Sequence, residues 1–406
     1  MKNWTKGTGL AIVVALAGTV IASPARAADG TAHSEFYGFV MTDAGYNNKA
    51  VDPSWFDVQR PSKLADSDTQ LDAFGKDGST FFSVRQTRFG VKSWFPTEAG
   101  ELKTQFEWEL FGVGVDAGQT TIRLRHAYGE LGKFGAGQTW SPFMDIDVFP
   151  NTLEYWGPNG MAFFRNVQFR YMPIQGDTRM TIALERPGAS GDQGVYSGLI
   201  GGTLTQRFPL PDLSAEYRKA IRRGYVEVAG ILRDIGWEDQ EAGPVDLTGS
   251  VVGWGINLSS NYKINDENLL KLQGVYGAGI ENYMNDAPAD VGPKPNPGDA
   301  TKPIEGEALP VSGIVLFLDH TWNSKYTSSI GYSQVLIDNS EGQAADAFHK
   351  GQYALANVVC TPVPNVMLGG EVGWIHRSNN SDGYKIDDYH LQVSAKYNFS
   401  YSTRPQ

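Results

Sequence analysis

From Tyr389 to Phe399 the side chains change character at every step. Tyr389, Leu391, Val393, Ala395, Tyr397 and Phe399 form one set; His390, Gln392, Ser394, Lys396 and Asn398 form the other. Successive side chains of a strand point to opposite faces, so this segment is a strand with one apolar and one polar face. Roughly ten residues of such alternation, ending on an aromatic close to the C-terminus, is the repeating unit of a transmembrane barrel.

The same period recurs along the chain. Leu102, Thr104, Phe106, Trp108 and Leu110 oppose Lys103, Gln105, Glu107 and Glu109. Val252, Trp254, Ile256, Leu258 and Tyr262 alternate with small and polar residues. Such runs predict about sixteen strands, give or take about two. They cover residues 35–44, 81–95, 102–110, 120–131, 133–140, 162–172, 178–185 and 213–218. The rest are 225–237, 249–263, 269–280, 309–322, 326–337, 352–360, 366–376 and 387–399. The eighth run is the least regular, because Pro209 and Pro211 precede it and proline is poorly placed inside a ladder. Strands of soluble sandwiches are typically about five or six residues, shorter than most of these. The expected fold class is all-β: a transmembrane antiparallel β-barrel of about sixteen strands, wide enough for a water channel. Hydrocarbon offers backbone N–H and C=O groups no partner, so a sheet placed in it must close on itself.

Residues 1–27 read as an export signal, which leaves 28–406 as one barrel domain. Lys2 and Lys6 precede an apolar stretch over 10–21, and Ala25-Arg26-Ala27 is a small-x-small cleavage site. That stretch is shorter than the ~20 residues of a membrane-spanning helix. The expected address is the outer membrane of a Gram-negative cell. Removing the three cations Lys2, Lys6 and Arg26 takes the formal charge from −11 to −14. An acidic total argues against nucleic acid as a partner. It does not argue against a pore for anions, since acids and bases need not share a surface. The excess is assigned to loops such as residues 286–307. The single Cys360 excludes an internal disulfide and, in line with Ala354, Ala356 and Val358, reads as a small hydrophobe.

Enzyme chemistry finds no footing. His33, His126, His320, His349, His376 and His390 are scattered, with no fixed spacing to a Ser or Asp that would build a nucleophile and its base. Neither clustered metal ligands nor a phosphate loop occurs, so no cofactor or metal is expected. Two classes remain: a diffusion channel, or a barrel acting mainly as receptor, adhesin or structural protein. Steps of conductance in a planar bilayer separate them.

Several runs carry a specific likeness: Thr80 to Gln86 (TFFSVRQ), Phe111 to Gln119 (FGVGVDAGQ), Gly135 to Pro150 (GAGQTWSPFMDIDVFP), Ile182 to Gly194 (IALERPGASGDQG) and Gly351 to Asn357 (GQYALAN). The chain resembles the DcaP-like family of outer-membrane porins over nearly its whole mature length. The resemblance implies a homotrimeric, sixteen-stranded porin that admits small anions, dicarboxylates in particular, with lipid bilayer and lipopolysaccharide around it. Two departures stand out. Some relatives carry an N-terminal coiled-coil extension, whereas only about seven residues precede the first strand after the expected cleavage. The chain also continues past Phe399, through Ser400 to Gln406.

Selectivity is expected where the fifth and sixth strands are joined. Segment 141–160 is rich in aromatics and proline and, as in general porins, is expected to fold into the lumen and narrow it. Asp145, Asp147 and Glu154 would then bring negative charge to the constriction. The facing wall is expected to be basic. Arg123 and Arg125 share the face opposite Ile122, Leu124 and Tyr128; Arg170 lies with Asn166 and Gln168; Arg88 and Lys92 oppose Phe89 and Val91. Guanidinium groups stay charged and grip carboxylates through paired N–H donors. Arg165 is counted with this wall, although Arg85 and Arg165 both share a face with apolar neighbours. That placement fits an interfacial rim, a subunit contact or a bulge. Lys103 with Glu107 and Glu109 reads as a structural network in the lumen.

Overall fold

Alternating runs of this length zip to their neighbours by backbone hydrogen bonds. The computed structural model describes residues 30–49, 51–241 and 243–403; the export signal assigned to 1–27 lies outside them. Its strands are β1 (His33–Asn47), β2 (Ser79–Ser83), β3 (Arg88–Thr97), β4 (Gly100–Glu109), β5 (Arg123–Leu131), β6 (Phe134–Trp140), β7 (Arg165–Ile174), β8 (Arg179–Glu185), β9 (Leu204–Gln206) and β10 (Asp212–Ile221). Then come β11 (Gly224–Asp239), β12 (Gly249–Lys263), β13 (Asn268–Ala278), β14 (Val291–Pro295), β15 (Ile304–Ala308), β16 (Pro310–Thr321), β17 (Tyr326–Ile337), β18 (Phe348–Val363), β19 (Val366–Asn379) and β20 (Lys385–Ser402).

Barrel strands pair antiparallel in sequence, and β20 pairs with β1 from Glu35↔Ser402 to Asn47↔His390, which closes the sheet. The main sheet has 18 strands. Two of these, β2 and β3, are one broken stave against β1, and β9 only extends the edge of β11, which leaves sixteen staves. Tight turns, among them 131–134, 221–224 and 363–366, lie at one end; the long connections lie at the other. All sixteen predicted runs fall on staves. The eighth is regular after all, because β10 begins at Asp212, directly past Pro211. The connection read as a loop over 286–307 instead carries the β14–β15 hairpin.

The outer face is predominantly apolar. Val393 is 60% exposed and Phe169 72%, whereas His390, Gln392 and Ser394 point inward and are buried. In water so continuous an apolar surface would be an association site; in a bilayer it is the lipid contact.

Three features depart from strict alternation. Between β2 and β3 the chain makes a turn (Thr87 N to Val84 O, 3.0 Å), which carries Arg85 inward. There its Nη1 donates to Asp57 Oδ1 at 2.5 Å and its Nη2 to the Gly112 carbonyl at 2.9 Å. The inward course of Arg85 thus comes from a break in the stave and not from a bulge within a paired ladder. In β5, Glu107 pairs with His126 but Trp108 with Leu124, so Arg125 is an extra residue. A bulge of this kind flips parity beyond it. Tyr128 therefore joins the lumen side, with Arg170 over its ring at 5.2 Å, and not the lipid side of Ile122 and Leu124. Finally, β16 is apolar on both faces: Ile314 and Leu316 face out, while Val311, Val315 and Phe317 are buried inside. Val315 and Phe317 pack with Val148 and Met161 from segment 141–164 and with Leu64 and Ala65 from the first long connection, and Val311 packs with Phe143 and Met144 from that segment. A loop folded into the barrel brings a dry core with it, and the wall beneath turns apolar to match.

Candidate channel constriction

Segment 141–164 joins β6 to β7 and runs around the inside of the barrel. Near its start, Asp145 accepts from Arg218 Nη2 at 2.6 Å, Tyr225 Oη at 2.7 Å and Ser259 Oγ at 2.6 Å, so β10, β11 and β12 all hold it. Asp147 accepts from Arg218 Nη1 at 2.5 Å. Lys271 on β13 then donates to the Phe149 carbonyl at 2.6 Å. At the tip, Glu371 of β19 accepts from the backbone N–H groups of Leu153 and Glu154 at 2.8 and 2.9 Å. Tyr155 reaches the other wall, hydrogen-bonded to Glu109 and stacked 4.0 Å from Phe111. On the return, a Cβ at Gly160 would lie 2.0 Å from the Gln334 carbonyl oxygen, so only glycine lets the segment lie flush on β17.

The three acids of this segment are thus placed unequally. Asp145 and Glu154 are 0% and 1% exposed, tied to the wall and to backbone, while the Asp147 side chain stays 47% exposed. Glu154 accepts from the N–H groups of Gln59, Trp156 and Gly157 at 3.0, 2.7 and 2.7 Å. Burial, reinforced by Glu371, outweighs those donors and pushes its carboxyl up to about 8 from an ordinary 4.5. The sign of the linkage follows. A raised carboxyl keeps its proton in the docked loop after the released chain has lost it, so docking weakens as pH rises from about 4.5 to about 8. Thermal melting in detergent is expected to fall across that window, and Glu154→Gln is expected to flatten the profile. A variant profile parallel to that of the parent would remove Glu154 from the linkage.

Between the segment and the wall of β1, β3, β5 and β20 lies a cavity of about 570 Å³. Arg60, Arg88, Arg123, Arg125 and Lys396 line it together with Trp55, Phe149, Tyr155 and Trp156. The β3–β5 wall carries a compact ionic cluster. Around Glu109 stand Arg125 at 2.8 Å, Arg88 at 3.1 Å, Arg123 at 3.8 Å and Arg165 at 3.9 Å. Glu107 takes Arg125 at 2.6 Å and Arg88 at 3.7 Å. Four guanidiniums thus share two carboxylates, and the cluster is net positive.

Exposure sorts the arginines. Arg125 and Arg165 are 7% and 6% exposed and form the packed interior of the cluster, with Arg165 also 5.0 Å over Trp140. Arg88 and Arg123 keep 23% and 27% open and face the cavity. Lys92 and Arg170 lie nearer the tight-turn end of β3 and β7. Lys92 sits 5.0 Å over Tyr37, and Arg170 donates to Gln168 Oε1 and to the Trp140 carbonyl. Three cations were not assigned to the pore wall from the sequence. Arg218 was recoverable, since it alternates with the outward Leu213 and Tyr217 and pairs across the sheet with Glu227. Lys396 already lay on the polar face of the last strand. Arg60 sits in a loop without periodicity, clasped between Trp55 and Trp156 at 4.2 and 4.0 Å, and carries no sequence signal.

Comparison with known proteins agrees with this architecture. A solved outer membrane channel, DcaP of Acinetobacter baumannii, is 21% identical, with a TM-score of 0.74 over 93% of this chain and 100% of that one. An anion-selective porin from Comamonas acidovorans is 11% identical, with a TM-score of 0.58 over 91% and 100%. A loop-deletion mutant of OmpT, an outer membrane protein of Vibrio cholerae, is 13% identical, with a TM-score of 0.56 over 91% and 100%. These likenesses speak to the fold. No curated protein matches the chain. The profile of the DcaP outer membrane protein family matches residues 3–399, nearly the whole sequence. The chain therefore belongs to the DcaP outer membrane protein family.

Proposed function

We propose that this channel passes small hydrophilic anions by diffusion and prefers dicarboxylates, working as a homotrimer after removal of residues 1–27. The observation that carries the reading is the charge imbalance at the cavity: Arg88, Arg123, Arg125 and Arg165 around only Glu107 and Glu109. Arg125 and Arg165 fix the glutamates and hold the wall in shape. Arg88, Arg123 and the nearby Lys396 supply the charge a solute meets, and Lys92 and Arg170, over Tyr37 and Tyr128 nearer the tight-turn end, add to the basic wall. Their N–H donors match carboxylate oxygens in pairs, and two carboxylates on one solute can engage neighbouring cations while it moves from site to site. The acidic total does not oppose this path, because it says nothing of where the acids lie: Asp145, Asp286 and Asp290, for example, are each fully buried and paired with arginine.

Reversal potentials under a potassium chloride gradient test the reading. The parent channel is expected to favour chloride. Arg88→Ala combined with Arg123→Ala is expected to lower the anion-to-cation permeability ratio roughly fivefold, the equivalent of ~1 kcal/mol of attraction in water-like surroundings. Cation preference in the parent channel, or a ratio untouched by the double substitution, would sink it.

A further inference from the structure

Glu281 is the least explained charged group facing the lumen. It begins a single 3-10 turn (Glu281–Tyr283) directly after β13, and it is 0% exposed. Both of its carboxyl oxygens are buried with no hydrogen-bond partner among the described residues. Native proteins rarely leave a buried carboxyl so, because the lost hydration goes uncompensated. Its place matters as much as its isolation. Glu281, Asn282 and Met284 line the same cavity as Arg88, Arg123 and Lys396.

The surroundings decide what could complement it. Arg233 bears on it, but that guanidinium is already consumed. Its Nε donates to Asp212 at 3.0 Å, and its Nη1 donates to Asp290 at 2.7 Å and to the Gly279 carbonyl at 2.5 Å. Its Nη2 is taken by the Gly188 carbonyl. Two carboxylates on one guanidinium leave this corner negative before Glu281 is counted, so it attracts a cation and repels an anion. A resident metal is poorly served, since no group of three or more His, Cys, Asp or Glu able to hold one occurs among the described residues. Phe163 and Phe164 line the cavity alongside, and aromatic faces favour organic ammonium groups. Burial, with Asp290 adding to it, pushes the Glu281 carboxyl well above the ordinary range. An arriving ammonium would supply the donors the two oxygens lack.

We infer that Glu281 forms an ammonium subsite, so that the channel takes solutes carrying a protonated amine beside their carboxylates, amino dicarboxylates above all. The inference rests on the anion reading given above: the carboxylates engage the basic wall while the amine turns to Glu281.

Current interruptions in planar bilayers test it with three probes of matched chain length: glutarate, L-glutamate and N-acetyl-L-glutamate. Glu281→Gln is expected to raise the half-blocking concentration of glutamate roughly tenfold while glutarate and N-acetylglutamate shift less than about twofold. In the parent channel, acetylation of the amine is expected to weaken glutamate by a similar factor, a comparison that needs no variant to fold. Equal shifts for glutamate and glutarate, or no effect of acetylation, would overturn the ammonium subsite and leave the anion reading intact. If none of the three interrupts the current, both fall together.

Discussion

Arg218→Ala is expected to widen the pore, make it noisier and shift its selectivity toward cations. One guanidinium, 7% exposed, holds Asp145 at 2.6 Å, Asp147 at 2.5 Å and Glu227 at 2.6 Å, with its flat face 3.6 Å from the Tyr225 ring. Its removal leaves three carboxylates without their common cation. Breaking a buried pair by removing one partner costs roughly 3–5 kcal/mol, chiefly because the remaining charge is stranded. The strain is relieved most readily at Asp147, the most exposed of the three. Residues 145–147 leave the wall of β10–β12 for water, and the cavity gains both space and two free acids. Single-channel conductance should rise, and the permeability ratio should move toward potassium. Arg218→Lys is expected to recover only part of the effect, since a point-like ammonium cannot serve three carboxylates in the fixed fork geometry of a guanidinium. Parent-like conductance and selectivity in the alanine variant would show that the segment is held by other means.

The second large effect is expected on the lipid side. Val393 lies midway along β20, between Tyr389 and Tyr397, and is 60% exposed. Val393→Arg should cost about 2–4 kcal/mol at the bilayer midplane. Folding titrations into liposomes measure this directly. A loss under ~1 kcal/mol would place the residue near the headgroups, where such substitutions are mild. Val393→Thr should be close to neutral in comparison.

How much of this could be seen in the sequence follows from periodicity. The sixteen staves were legible because a residue's neighbours two places away report its face, as Leu391 and Ala395 do for Val393. The cations at Arg88 and Arg123 were legible for the same reason. Where an extra residue enters the ladder, as at Arg125, the count slips by one and Tyr128 changes sides. Where the chain turns mid-stave, Arg85 faces inward despite apolar neighbours. The inner faces of β16 and β18 read as apolar for a reason no strand discloses, namely that segment 141–164 covers them. That segment has no period of its own. Asp145 and Glu154 look like any loop acids until the donors from Tyr225, Ser259, Gln59 and Gly157 arrive from distant parts of the chain.

The seam has a temporal consequence. Strand β1 finds one of its two neighbours only in β20, and the join runs to Ser34, whose N–H donates to Thr403 Oγ1 at 2.8 Å. Until the last stretch of polypeptide is delivered, the earliest one shows a bare row of amides and carbonyls, an invitation to pair with any stray strand. Contacts so remote in sequence are also slow to form. A biogenesis partner that clasps the incomplete sheet at that open margin, and lets go only when the final hairpin arrives, would serve this topology better than one that merely coats greasy side chains.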